Sequence, residues 1–219
     1  MGIKMGMDNK PAAYRVLLTD GEGEIIEKKS RFIATVKKCE TEEEAVAFID
    51  EIKKKNWNAT HNCSAFVLGS RGELTRCSDD GEPSGTAGRP MLEVLLGEEI
   101  RNIAVVVTRY FGGTLLGTGG LVRAYTQAVK EGLAHCRTGI MRYGCDVTVE
   151  TDYNSIGKIL YLLGQKGIEP VQSDYAEDVR LMLRIPADLE EKLRAEMVEA
   201  TCGKVKFEKV NELYYIDKE

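Results

Sequence analysis

The segment R109-Y-F-G-G-T-L-L-G-T-G-G-L-V-R-A-Y125 connects a run of β-branched residues, which ends at Thr108, to an apolar helical pattern that begins near Leu121. It contains five glycines. A glycine-rich turn between a buried strand and a helix leaves backbone amides without partners and presents the positive end of the helix dipole. The segment therefore predicts an anion-binding turn or, as the alternative, close packing of the helix on the strand.

The candidate anion-binding residues are those of this turn and the arginines near the glycine-rich segments. We expect phosphate or nucleic-acid contacts from Arg76, Arg89, Arg109, Gly112, Gly113, Gly117, Thr118, Gly119, Gly120 and Arg123. Standard nucleotide motifs are missing, because Thr118 stands where a P-loop has lysine and Val122 where a dinucleotide motif has glycine. Under the packing alternative, replacing Gly119 by valine damages folding if this glycine has a positive φ or touches the facing strand. Tyr125 is then part of the core.

A second motif, C77-S-D-D-G-E-P-S-G-T-A-G-R-P90, contains three carboxylates within four positions. These residues are Asp79, Asp80 and Glu82. Clustered carboxylates suit a hard cation such as Mg²⁺ or acid/base chemistry. The alternative is a tight multiple turn in which the carboxylates cap backbone amides, and the absence of the EF-hand spacing favours it.

The third motif, T60-H-N-C-S-A-F66, contains a histidine that can act as a general base beside the carboxylates. A zinc site with Cys63 is disfavoured by the spacing of the cysteines, so we assign no metal and no cofactor. The candidate catalytic residues are His61, Asp79, Asp80 and Glu82. We expect these four residues, together with Arg76 and Arg109, to gather on one face of the first domain.

The elements around these motifs predict an α+β first domain. A capping box at Thr41 and Glu44, an apolar period of 3.6 and three closing lysines predict a helix over 41–55. Residues 20–23 are expected to form a turn, and residues 71–90 to be irregular. Strands are expected at 14–18, 25–39, 63–68 and 102–108, and helices at 91–96 and from about Leu121.

After residue 140 the element order becomes β-α-β-β-α-β within 80 residues. This order is typical of a split-βαβ, ferredoxin-like domain. A linker is expected near Arg137 to Ile140, which gives two domains, 1–138 and 139–219.

The charge is uneven, and this limits the classes of partner. The net charge is −5, with 19 basic and 19 acidic residues in 1–140 but 11 and 16 in 141–219. This balance argues against a DNA-wrapping protein and leaves room for a local basic site. The longest apolar runs are far below the ~20 residues that span a bilayer, and the N-terminal residues lack a signal-peptide core. Six cysteines without a CxxC pair suit a reducing compartment, so we expect a cytoplasmic protein without membrane association.

These three motifs closely resemble the IMPACT/YigZ family, and together they span about residues 15–135. The later βαββαβ segment resembles the C-terminal domain of the bacterial members. The resemblance implies an N-terminal domain with the ribosomal-protein-like βαβ fold of domain IV of elongation factor G. It also implies a C-terminal domain like domain V of that factor.

The same resemblance implies a role in translation control or the stress response. Eukaryotic members regulate translation by competing for the activator of a starvation-responsive kinase that phosphorylates an initiation factor, and they carry an additional RWD domain. For bacterial members, proposals centre on nucleic-acid or ribosome binding. RNA or the ribosome is therefore the expected partner, with a protein partner in translation control as a second candidate.

The leading hypothesis is a non-enzymatic module that binds RNA or the ribosome through a Gly/Arg-rich polar site. One alternative is an enzyme, a hydrolase or transferase, that acts on a phosphorylated small molecule. In that case the glycine turn holds phosphate while His61 and the carboxylates carry out metal or proton chemistry. Another alternative is an adaptor that captures a protein tail in the same cleft. The sequence leaves the ligand and the oligomeric state open.

Overall fold

The computed structural model describes residues 13–217, so residues 1–12 and 218–219 of the two predicted domains lie outside the described residues. The strands are β1 (Ala13–Thr19), β2 (Gly21–Glu27), β3 (Ser30–Lys38), β4 (His61–Leu68), β5 (Leu74–Ser78), β6 (Ile100–Arg101), β7 (Ile103–Tyr110), β8 (Arg137–Thr151), β9 (Pro170–Tyr175), β10 (Val179–Pro186) and β11 (Lys206–Asp217). The helices are α1 (Glu42–Lys55), α2 (Gly88–Gly97), α3 (Gly117–Ala134), α4 (Ile156–Gln165) and α5 (Glu190–Ala200). The contacts divide the chain into a first unit, Tyr14–Ile140, and a second unit, Met141–Asp217.

The first unit is built on an antiparallel sheet with the strand order β2-β3-β7-β4-β5. Successive side chains along a strand point to opposite faces, and here both faces are apolar. Phe32 and Val105 face α2 and α3, whereas Phe66 and Val106 face α1. Because helices cover both faces, residues 103–107 of β7 form a continuous run of apolar residues, as in other doubly covered strands.

Four connections of the first unit lie at the same end of this sheet. β2, β5 and β7 end there, and β3 and β4 begin there, because every neighbouring pair is antiparallel. The register places Glu27 opposite Ser30 and His61 opposite Arg109. Motifs that are far apart in the sequence therefore meet. We call this region the loop end and define it by the segments 27–31, 53–61, 79–87 and 109–117.

The second unit has the element order β8-α4-β9-β10-α5-β11 and the strand order β11-β8-β10-β9. In this arrangement the first and third strands are central, as in ferredoxin-like domains. Its core is formed by Val147 and Leu181 from the sheet and by Ile159 and Leu193 from the two helices. The predicted α+β class, with a ferredoxin-like second domain, is confirmed.

Residues Arg137–Ile140, expected to be a linker, are not irregular but begin β8. The backbone amide of Arg137 donates to the Thr19 hydroxyl of β1 at 2.9 Å, so the segment has a neighbouring strand. The division into units falls inside β8, between Ile140 and Met141. Gly139, within this segment, lies so close to Leu18 that a Cβ would be 3.1 Å from the Leu18 methyl carbons.

Two regions expected to be turns or irregular are partly regular. Residues 21–23 belong to β2, and a Cβ on Gly23 would lie 2.6 Å from the Gly132 nitrogen of α3. This glycine therefore permits close packing of helix on strand. Within 71–90, Leu74–Ser78 forms β5 and α2 begins at Gly88, which leaves 79–87 as the connection. Among the described residues, no helix combines the length and the hydropathy needed to cross a lipid bilayer.

Candidate functional site

A buried polar cluster occupies the loop end. Arg109 Nη1 lies 2.5 Å from Glu82 Oε1, and the Tyr125 hydroxyl donates to the same oxygen at 2.8 Å. The side chains of Arg109 and Glu82 are only 6% and 3% exposed. Such a pair is tolerated inside a protein when further hydrogen bonds compensate its lost hydration. The cluster therefore ties the 79–87 connection to both β7 and α3.

Cys63 extends this cluster to β4. Its Sγ lies 3.3 Å from the Tyr125 hydroxyl oxygen and 3.0 Å from the Asp79 carbonyl oxygen. Burial raises the pKa of the Cys63 thiol to about 12, and burial also raises the pKa of the Tyr125 phenol. Both groups are therefore protonated at neutral pH, and a protonated thiol is a poor nucleophile. This part of the cluster is typical of a structural core.

Arg109 is also enclosed by aromatic rings. Its guanidinium carbon lies 5.3 Å from the centre of the Phe32 ring and 5.6 Å from that of Phe111, within the range of cation–π attraction. Its Nε is buried and has no hydrogen-bond partner among the described residues. The Phe111 side chain is 46% exposed. One face of its ring covers the Arg109 guanidinium. The charge of Arg109 is thus held inside the protein.

Asp79 caps the start of α2. Its carboxylate accepts hydrogen bonds from the amides of Gly85, Ala87 and Gly88, at 2.8, 3.0 and 2.8 Å. Burial by itself raises the pKa of the Asp79 carboxyl, but these hydrogen bonds outweigh it and hold the pKa below its usual range. The carboxylate therefore acts as the anion at the positive end of this helix. The geometry of Asp79 thus agrees with the alternative in which the carboxylates cap the backbone amides of a tight turn.

Asp80 and His61 are joined to the neighbouring segments. Asp80 Oδ1 lies 2.7 Å from Lys53 Nζ, and Oδ2 accepts from the Asn62 amide at 2.7 Å. His61 Nδ1 lies 2.8 Å from the Asp80 carbonyl oxygen, so this nitrogen carries the proton, since a carbonyl only accepts. His61 Nε2 faces Glu82 Oε2 at 3.9 Å. Among residues 13–217, no group of three or more His, Cys, Asp or Glu side chains is arranged to hold a metal ion.

Arg76 lies apart from the other five residues that were expected to gather. It is opposite Phe66 in the β4–β5 register, so its side chain is on the α1 face, and it pairs with Glu42 at 2.7 Å. His61 and Arg109 are on the α2/α3 face. The expectation that all six share one face is therefore wrong for Arg76, because strand alternation directs it to the other side of the sheet.

Two other predicted arginines are on the surface. Arg89 pairs with Glu93 one helical turn later, at 2.9 Å. Arg123 lines a shallow groove between α3 and β2, together with Ile25 and Glu27. Neither side chain takes part in the buried cluster described above.

The glycine turn combines tight and open positions. A Cβ on Gly112 would lie 2.1 Å from the Lys29 carbonyl carbon, so this glycine is required for packing. Gly113 and Gly117 have φ of 84° and 69°, which favours glycine, but nothing lies within 4 Å of their Cβ positions. Gly119 has neither a positive φ nor a close neighbour. Among Gly112, Gly113, Gly117 and Gly119, close packing therefore accounts for the choice of glycine only at Gly112. Leu116 makes no side-chain capping bond to α3.

The sequence analysis missed a set of exposed cationic and aromatic residues at the loop end. Lys28 and Lys29 form the two-residue turn of the β2–β3 hairpin, with φ of 46° and 69°. Consecutive residues with positive φ are the mark of a type I′ hairpin turn. Elsewhere at the loop end, the exposed residues include Lys54 and Lys55 at the end of α1 and Trp57, Phe111 and Leu115 on the connections. The available signal was the K53-K54-K55-N-W57 run, which was interpreted only as a helix end.

Comparisons with known proteins agree with this two-part organisation. The Impact N-terminal domain model matches residues 28–133, and the domain of unknown function DUF1949 matches residues 149–204. The chain is 42% identical over 206 residues to "IMPACT family member YvyE" of Bacillus subtilis, covering 94% of each chain. The chain belongs to the IMPACT family. It is also 36% identical over 187 residues to "IMPACT family member YigZ" of Escherichia coli, covering 84% of this chain and 92% of that one.

A solved structure described as the crystal structure of a hypothetical protein has a TM-score of 0.59 to this IMPACT family chain and is 33% identical, covering 92% of this chain and 98% of that one. A eukaryotic relative, "Protein IMPACT homolog" of Saccharomyces cerevisiae, is 35% identical over 98 residues, covering 42% of this chain and 37% of that protein. The Impact N-terminal domain match includes the loop end from residue 28 onward. All of the loop end except residue 27 therefore lies within the segment that matches the Impact N-terminal domain.

Proposed function

We propose that this IMPACT family member is a non-enzymatic regulator of translation or of the stress response, acting in the cytoplasm, and that it binds RNA, free or in the ribosome, through the loop end. The observation that carries the proposal is the charge of this region. Its four segments contain seven Lys and Arg residues, of which Arg109 alone is buried, but four Asp and Glu residues, in a chain whose net charge is −5. A local cationic surface on an acidic protein suits a polyanionic ligand and limits nonspecific binding elsewhere.

The acidic groups of the loop end are largely compensated within the protein. Asp79 is bound by backbone amides, Asp80 by Lys53 and Glu82 by Arg109. By contrast, the described residues provide no ion-pair partner for four exposed lysines, Lys28, Lys29, Lys54 and Lys55. The field outside this surface therefore comes mainly from the lysines, and their charges are accessible to phosphates.

The same contacts give less support to an enzyme that acts on a phosphorylated small molecule. Such an enzyme needs carboxylate oxygens directed at a ligand, whereas those of Asp79 and Asp80 accept hydrogen bonds from the chain itself. The Cys63 thiol is buried and protonated, so it offers no nucleophile. A binding surface accounts for more of the geometry than a catalytic centre.

Binding to purified ribosomes and to ribosomal RNA over a series of salt concentrations tests the proposal. We expect affinity to fall as salt rises. A variant with glutamine at all four exposed lysines should flatten the slope of log K against log salt by about 0.7 unit for each single-strand phosphate that it no longer binds. The matched control also changes four lysines to glutamine, at exposed positions outside the loop end: Lys130, Lys158, Lys192 and Lys204. Equal binding by the two variants, or no binding by the unmodified protein, would reject the proposal.

A further inference from the structure

Two aromatic side chains project from neighbouring connections of the loop end. Trp57 is 83% exposed in the turn between α1 and β4, and Phe111 follows β7. The two connections are fastened together by hydrogen bonds from the Thr60 amide to the Arg109 carbonyl at 2.8 Å and from the Phe111 amide to the Thr60 hydroxyl at 3.1 Å. A third bond joins the Tyr110 hydroxyl to the Asn56 side chain at 3.0 Å. Both rings therefore belong to one surface.

The backbone around Trp57 is fixed although its side chain is exposed. The Asn56 amide donates to the Ile52 carbonyl at 2.9 Å and closes α1, and the Ala59 amide donates to the Asn56 carbonyl at 3.0 Å. A large aromatic ring held in water by an ordered turn forgoes the stabilisation that burial would give. The ordered backbone at Trp57 also lowers the conformational freedom that is lost when its ring stacks on a ligand.

The Phe111 ring has only one face available to a ligand. Its other face is covered by the buried Arg109 guanidinium, 5.6 Å from the ring centre. Exposed lysines lie on the same segments or next to them: Lys54 and Lys55 precede Trp57 in the chain, and the backbone of Lys29 lies against Gly112, the residue after Phe111. Planar apolar faces in a region that carries unpaired ammonium groups match a ligand that alternates bases with phosphates.

We propose, on the basis of the RNA-binding function proposed above, that the loop end recognises single-stranded RNA, with Trp57 and Phe111 stacking on unpaired bases while the neighbouring lysines contact phosphates. In a duplex the base faces are covered by adjacent base pairs, so a stacking surface discriminates against it. Stacking tolerates any base, so the site prefers unpaired strands rather than a particular sequence. On a ribosome it would contact loops, bulges or strand ends.

Trp57 is the only tryptophan of the chain, so its fluorescence reports the ligand directly. The protein is titrated with an RNA oligonucleotide of about ten nucleotides and with the same strand annealed to its complement. We expect quenching by the single strand and roughly tenfold weaker binding of the duplex. In a binding assay with labelled RNA, Trp57→Ala should lose about tenfold in affinity, whereas Trp57→Phe should retain most of it.

Tyr161→Ala is the control, because Tyr161 is an exposed aromatic residue of the second unit. Its affinity for RNA should equal that of the unmodified protein, and circular dichroism should show that all variants fold. Equal affinity for single strand and duplex without quenching would overturn the stacking proposal while RNA binding stands. Unchanged affinity of Trp57→Ala would overturn it as well. No binding of either RNA by the unmodified protein would reject both proposals.

Discussion

The Arg109 guanidinium lies 2.5 Å from the Glu82 carboxylate, and both side chains are almost completely withdrawn from solvent. The pair joins the 79–87 connection to the end of β7. Removing a charge from water costs several kcal/mol unless a partner compensates it. Each member of this pair therefore depends on the other for its place inside the fold.

Replacing Glu82 by glutamine should destabilise the protein strongly. The change leaves the Arg109 charge buried without a counter-charge, and we expect the free energy of unfolding to fall by about 3–5 kcal/mol. Urea unfolding at neutral pH provides the measurement. Glu93→Gln is the matched control, since it breaks the exposed pair with Arg89 and should cost less than ~1 kcal/mol. If both variants showed the same small decrease, the buried pair would have no special role.

Asp79→Asn should lower stability in a pH-dependent way. A carboxylate whose folded pKa is depressed stabilises the protein above its unfolded pKa of about 3.9, and this contribution is lost as the pH falls through the folded pKa. We expect a loss of about 1 kcal/mol at neutral pH, as for other helix caps, and a difference from the unmodified protein that shrinks below about pH 4. Urea unfolding over a pH series measures it. Asp50→Asn, on the exposed face of α1, should change stability by less than ~0.5 kcal/mol. A difference for Asp79→Asn that stays constant with pH would contradict the prediction.

Two glycines at the start of α3 should respond oppositely to alanine. Gly119 has open space and no positive φ, so Gly119→Ala should leave stability unchanged or raise it by up to ~1 kcal/mol, because alanine favours the helix. Gly117 has a φ of 69°, so Gly117→Ala should cost about 1–2 kcal/mol. Thermal unfolding distinguishes the two results. Comparable destabilisation by both changes would show that Gly119 has a packing role.

The two units, expressed as the fragments 1–140 and 141–219, should each fold alone, since each has its own apolar core. Cooperative urea unfolding of both fragments is the expected result. Trypsin should cleave the intact protein slowly at Arg137, because this residue begins β8 and its amide is hydrogen-bonded to Thr19. Rapid cleavage at Arg137, or a fragment without a cooperative transition, would contradict this prediction.

Local sequence patterns predicted the elements whose signals lie within a few residues. The capping box is an example. The Glu44 amide donates to the Thr41 hydroxyl at 3.3 Å, and α1 begins at Glu42, directly after Thr41. A second example is the alternation of apolar and polar residues in the strands after residue 140, which predicted the β-α-β-β-α-β order of the ferredoxin-like domain. β5 escaped detection because all but its first residue are exposed, so it lacks the apolar alternation that marks a half-buried strand.

The candidate site was harder to predict, because its composition depends on strand register. The place of Arg76 follows from its pairing opposite Phe66, and without β5 no face can be assigned to it. Lys28 and Lys29 are about eighty residues from the glycine turn, and they meet it only because Arg31 lies opposite Tyr110. Residues that were close to the turn in sequence, such as Arg123, instead line a groove beside β2.

Asp79 makes the N-terminus of α2 less accessible to dissolved anions than the N-terminus of α3. As part of the same chain, its carboxylate stands beside the first amides of α2 at an effective concentration that free phosphate in solution does not approach. The first turn of α3 has no such internal competitor among the described side chains, and Gly117 and Gly119 are exposed there. An anion from solution would therefore compete with a carboxylate at the start of α2 but with no described side chain at the start of α3.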